Sequence, residues 1–158
     1  MTDKKFKKLC GIAEKLAVQS KDHYQVVAII FDKNRVISTG INTSTRSYPF
    51  LKRYFLHGTL HAEIASIIPI IHNDNISGLD IFVYRTTKNN TVGFAKPCPM
   101  CVRALYDIGK IKNAYWTTNN GGWDDGRISE MHEEVMELNY NCRYLYNGNI
   151  ARFEKEIN

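Results

Sequence analysis

The chain has 158 residues, 44% of them hydrophobic, and a formal net charge of +5. That length suits one domain with one core, and that composition excludes a disordered chain. No apolar run approaches the ~20 residues that cross a bilayer, so no membrane partner is expected, and the positive excess favours anionic ligands such as nucleotides or nucleic acid.

Residues 3–20 read as a helix, because Phe6, Leu9, Cys10, Ala13, Leu16 and Ala17 recur at spacings of three and four. Thr2 or Asp3 is placed to cap it. Lys4, Lys5, Lys7, Lys8 and Lys15 read as its solvated face. They interrupt any apolar core of a signal peptide, so a cytoplasmic location is the default expectation. "QVVAIIF", 25–31, reads as a buried strand, "DKNR" as a turn and "VISTGIN", 36–42, as the hairpin partner. Residues 43–58 show no period and read as a long loop, and long ordered loops often carry function.

Residues 61–71 read as a helix that Pro69 ends or kinks. "LDIFVYRTT", 79–87, is the next strand, and "CPMCVRALYDIG", 98–109, a short helix with Gly109 as its C-terminal cap. "IKNAYWTT", 111–118, is the fourth strand, followed by "NNGGWDDG", 119–126, as a glycine-rich loop. Ile128, Met131, Val135 and Leu138 have helical spacing, after which Tyr140, Cys142, Tyr144 and Tyr146 alternate as in a strand. The element order implies a central sheet with helices on its faces, in a single domain over 1–158.

Two short stretches carry chemistry. "HAE" at 61–63 and "PCPMC" at 97–101 both open helices. His61, Cys98 and Cys101 offer one imidazole and two thiolates, the donors that zinc prefers, and three protein ligands leave a fourth tetrahedral position open, as in catalytic sites. A helix start favours the thiolate form of the cysteines, and Cys-x-x-Cys returns the second sulfur to the same side after about one turn. Glu63 is then free to take a proton from the water that zinc activates and pass it to a departing nitrogen. The four cysteines, Cys10, Cys98, Cys101 and Cys142, do not suggest disulfide staples in a chain of this size without an export signal.

His-x-Glu followed by Pro-Cys-x-x-Cys is the signature of zinc nucleobase deaminases. On these residues the chain resembles the cytidine deaminase superfamily, with matching element order from about residue 1 to 118. "RSYPFLKRYFLHGTLHAEI" and "GFAKPCPMCVRALYDIGKIKNAYWTTNNGG" look most like the deoxycytidylate-type deaminases, including small bacteriophage members. "PCPMC" equally resembles the tRNA adenosine deaminases. The resemblance implies a three-layer α/β/α fold around a mixed sheet, with zinc between two helices. It implies hydrolytic loss of an exocyclic amine, releasing ammonia. It assigns Asn42 to the substrate's sugar and the backbone N–H of Ala62 to the base carbonyl. It also implies a homo-oligomer.

The first reading is therefore a zinc-dependent deaminase of CMP or dCMP, with a small-molecule nucleotide as its partner. The second is an adenosine or cytidine deaminase acting on tRNA or single-stranded nucleic acid. The third is an inactive, deaminase-like nucleotide-binding module, against which the presence of Glu63 speaks. Arg46, Arg53 and Lys96 are the candidate phosphate cations, although Lys96 stands where many relatives carry a small or acidic residue. His57 and His72 read as ordinary peripheral histidines. A second zinc site using Cys10, Cys142 or His57 has no specific spacing to support it.

Overall fold

A computed structural model describes residues 1–43 and 60–141. Thr2 caps the first helix, α1 (Asp3–Ala17), its Oγ1 accepting from the Lys5 amide at 3.4 Å. Strands β1 (Tyr24–Asp32) and β2 (Arg35–Ile41) form the expected hairpin. Next comes α2 (Ala62–Ile67), followed by a 3₁₀ turn, Ile68–Ile70, where Pro69 interrupts the regular helix. The rest of the chain runs β3 (Leu79–Thr87), β4 (Val92–Gly93), α3 (Pro99–Ile108), β5 (Ile111–Thr117), β6 (Trp123–Arg127) and α4 (Ile128–Asn141). Gly109 ends α3 in the left-handed region at φ 71°, which glycine adopts without penalty.

The sheet is mixed, in the order β2-β1-β3-β5-β6, with β4 paired to the end of β3. Among the described strands only β3 and β5 are parallel, as the α3 crossover between them allows. Alternation along the strands sends side chains to two cores. Val27, Ile29, Phe31, Phe82 and Tyr84 pack on Leu9, Ala13 and Ala17 of α1. Ala28, Ile30, Ile81, Val83 and Ala114 face the other way, onto α2, α3 and α4. The result is the three-layer α/β/α arrangement. Each fully buried Ile, Leu or Phe contributes about 1.5–3 kcal/mol by leaving water. Among the described residues no helix is long and apolar enough to cross a membrane.

Two expectations need correction. Residues 119–126 are not wholly a loop: Trp123–Arg127 form edge strand β6, paired antiparallel with β5. The strand expected from Tyr140 does not start there, because α4 continues through Asn141. Cys142, Tyr144 and Tyr146 lie outside the described residues, as do Arg46, Arg53 and His57. His72 is exposed.

The contact that seats α2 on the sheet is made by Gly40 of β2. A Cβ there would stand 2.3 Å from the Ser66 amide nitrogen and 2.5 Å from the Ala62 carbonyl oxygen. Both are backbone atoms, so nothing short of moving the helix makes room. Gly40→Ala is expected to cost about 1–3 kcal/mol or more in urea unfolding, as overpacking does. It should also lower bound zinc, measured by elemental analysis, because α2 carries His61.

Candidate active site

His61 and Cys98 occupy equivalent places. Each is the N-cap of its helix, extended at φ −71° and −69°, and neither side chain caps its own helix. The side chains are therefore free to turn toward each other. His61 Nδ1 lies 3.5 Å from Cys98 Sγ and 3.4 Å from Cys101 Sγ. The three donor atoms all fall within 4.8 Å of one another. Cys101 is fully buried, and Leu60, Ile64 and Ala104 close the space around it.

The donor set fits zinc: one imidazole nitrogen and two sulfurs around a common point, with one tetrahedral position left over. The electrostatics agree with a site built for a cation. The hydrogen bond from the Cys101 thiol pulls Cys98 down to about 4, with further help from His61, so Cys98 is a thiolate at neutral pH. Burial holds Cys101 well above the usual thiol range. The hydrogen bond with Cys98 raises His61. Without metal the cluster thus shares its protons, and a divalent cation displaces them.

Glu63 sits one residue into α2, only 5% exposed. Burial raises its pKa, and the Cys98 charge raises it further, while a hydrogen bond with Cys101 pulls the other way. The carboxyl is thus beside the thiol cluster and poised to hold a proton. Ser66 Oγ donates to the Glu63 backbone carbonyl at 2.7 Å and steadies that turn. Ala62, the first helical residue, is fully buried in the core with Ala28, Ile30 and Ile67.

Asn42 lies at the end of β2, next to Thr43, which pairs with Leu60 through two hydrogen bonds of 3.0 and 2.8 Å. That register stands Asn42 opposite His61. Its side chain is fully engaged within the protein. Oδ1 accepts from Ser20 Oγ at 2.9 Å and from the Val26 amide at 2.8 Å. Nδ2 donates to Asp22 Oδ2 at 2.8 Å and to the Tyr24 carbonyl at 2.9 Å. A sugar contact requires one of these bonds to be given up. Lys96 is also engaged: its ammonium lies 3.6 Å from Glu134 and 5.5 Å from the centroid of the Trp116 ring.

The sequence pattern missed Gly40 and Lys110. Lys110 is 7% exposed, and its ammonium donates to the carbonyls of Asn73 at 2.7 Å and Ile76 at 3.4 Å. It ties the segment after α2 to the start of β5. A lysine between a capping glycine and a strand carries no signal for this.

Residues 1–118 match the family described as the cytidine and deoxycytidylate deaminase zinc-binding region. The chain belongs to this family. It is accordingly a zinc-dependent deaminase, a hydrolase. Among solved structures, the dCMP deaminase of cyanophage S-TIM5 is similar at 17% identity and TM-score 0.55, over 85% of this chain and 94% of that one. A cytidine deaminase from Burkholderia pseudomallei aligns at 18% identity and TM-score 0.58, over 83% and 96%. One from Mycobacterium tuberculosis aligns at 22% identity and TM-score 0.51, over 80% and 93%. These likenesses establish the deaminase fold. No curated protein matches the chain at significance.

The two thiols of this deaminase differ enough to be told apart chemically. In zinc-free protein, iodoacetamide should modify Cys98 much faster than Cys101, because Cys98 is partly exposed and ionised while Cys101 is neither. Its modification should persist as pH falls to about 5, where ordinary thiols near 8.5 are protonated. Zinc should protect both, as peptide mass spectrometry will read. Equal rates for the two would contradict the proton sharing.

Proposed function

We propose that this protein removes the exocyclic amine of a free cytosine nucleotide, CMP or dCMP, giving the uracil nucleotide and ammonia. The observation that carries the reading is Glu63, a carboxyl only 5% exposed that stands beside a complete His-Cys-Cys donor set. We assign His61, Cys98 and Cys101 as the zinc ligands. When bound there, zinc supplies the acidity that makes water a nucleophile at neutral pH.

The chain's own residues do the rest. Glu63 accepts a proton from the attacking water on its carboxylate and delivers it to the departing amine. The Ala62 N–H, at the first turn of α2, faces no helical acceptor of its own and is assigned to the base carbonyl. Asn42, opposite His61 in register, fixes the rim where the sugar enters. The domain is assigned to the whole chain, 1–158, acting as a cytoplasmic homo-oligomer.

For the nucleotide, support comes from three sources. The family spans cytidine and deoxycytidylate deaminases, and the cyanophage relative is known in complex with dCMP and dUMP. In sequence, Arg46 and Arg53 precede the zinc helix and offer planar forks suited to phosphate. Free cytidine is the second reading, favoured because Lys96 is already held by Glu134.

Two measurements test the assignment. Glu63→Gln should keep about one zinc per chain yet lose roughly 10²–10⁴-fold in turnover, since it removes a proton carrier and no ligand. Zinc loss in that variant would make Glu63 a ligand instead. Ammonia release should favour the monophosphate over the nucleoside. Arg46→Ala or Arg53→Ala should cut the monophosphate rate about ten- to a hundredfold while sparing the nucleoside rate, as loss of a charged hydrogen bond predicts. Equal losses on both substrates would remove the arginines from the phosphate site.

A further inference from the structure

Much of the chain's positive charge lies in its first 35 residues. Residues 1–35 hold eight basic and four acidic side chains, so they account for four of the five net charges. Lys4, Lys5 and Lys8 of α1, with Lys33 at the tip of the β1–β2 hairpin, line one cavity of about 690 Å³. No carboxylate lines it, and among the described residues none of these lysines is ion-paired. Two of the ammonium groups are held in place. Lys5 Nζ stands 4.1 Å from the centroid of the Phe31 ring, and Lys8 Nζ donates to the Asn34 carbonyl at 3.5 Å. Lys4 and Lys33 are exposed. Lys33 has a φ of 49°, a conformation where asparagine or glycine costs less.

The chemistry of the cavity defines its ligand. Sites for small molecules are mostly apolar, with a few rigidly placed polar groups. Here Phe31 and Leu9 are 1% and 3% exposed, so the floor offers no open surface for a ring to stack on. No arginine fork lines it either. What remains is a set of point charges, which meets a row of phosphates and reads no base. We propose that this lysine cluster docks the phosphate backbone of nucleic acid, without sequence preference and apart from the deaminase centre.

Its place in the fold keeps the two functions separate. Phe31 and Leu9 belong to the α1 face of the sheet, whereas α2 and α3, which bring His61 and Cys98, cover the opposite face. The end of β1 that meets Asn42 is at Val26, and Phe31 lies five residues further, roughly 16 Å along a strand. A strand bound at the lysines therefore leaves the zinc end open, and the protein can deaminate free nucleotide while held on nucleic acid.

The test is salt-dependent binding of a labelled single-stranded oligonucleotide to the full, zinc-loaded chain, followed by fluorescence anisotropy. Four lysine–phosphate contacts predict a slope of about −3 in log affinity against log salt, at ~0.7 per contact. The triple variant Lys4→Gln, Lys8→Gln, Lys33→Asn leaves Lys5 to cover Phe31. It should flatten the slope by about 2 and weaken low-salt binding by about tenfold or more. Zinc content and turnover of free nucleotide should not change. Lys33→Asn alone should flatten the slope by ~0.7 without lowering Tm, because asparagine suits the left-handed position. The proposal is overturned by a wild-type chain that does not bind the oligonucleotide, by variants that keep the full slope, or by tight binding of a nucleoside triphosphate with none of the oligonucleotide.

Discussion

His61 can meet Cys98 and Cys101 only if two helices begin at the same point in space, and the sheet is arranged around that meeting. The residues are 37 and 40 apart in sequence, with β3 and β4 in between. Gly40 lets α2 lie directly on β2. The start of α3 is fixed from the other side. The Ala95 N–H donates to the Thr117 carbonyl at 2.9 Å, and the Phe94 N–H to Asn119 Oδ1 at 2.8 Å. Buried Pro97 then leads directly into Cys98. The parallel pairing of β3 with β5 makes this possible, because a parallel crossover returns a helix over the sheet and starts it beyond the strand's end.

That geometry buries two acids side by side. Glu63 and Cys101 are both buried, and burial raises the pKa of each. Cys98, at the edge, takes the charge that its neighbours refuse. A site of this kind is costly to stability without a cation and strongly favoured with one, since a bound divalent ion reverses the local preference for protonation. In such buried, low-dielectric surroundings a fixed charge acts more strongly than it does in water.

How much of this was legible in the sequence follows from where each signal resides. β3 emerges over the same residues as expected, 79–87, because its apolar run is buried on both faces and needs no partner to be recognised. The zinc cluster was legible because donor chemistry is local to two short motifs. β6 was not. Trp123, Asp124, Asp125, Gly126 and Arg127 have the composition of a turn, and they are extended because β5 supplies the hydrogen bonds. β4 is two residues long and likewise exists only through its pairing with Arg85 and Thr86. Gly40 looks like any strand glycine until the helix that lies on it is known.

Asn42 shows the same limit at the site itself. The register of the Thr43–Leu60 bridge sets it opposite His61. What a sequence does not display is the competition for its four hydrogen-bonding positions. Ser20, Asp22, Tyr24 and Val26 take all of them, and three of those residues belong to the turn between α1 and β1 or its edge. Each such bond contributes about 0.5–1.5 kcal/mol, so a substrate hydroxyl must offer at least an equal bond to displace one. The arrangement therefore makes Asn42 first a clamp, holding the α1–β1 turn against the end of β2. Through that clamp it fixes the backbone from which Thr43 pairs with Leu60, and Leu60 in turn sets the residue beside it, His61, at the mouth of the cluster.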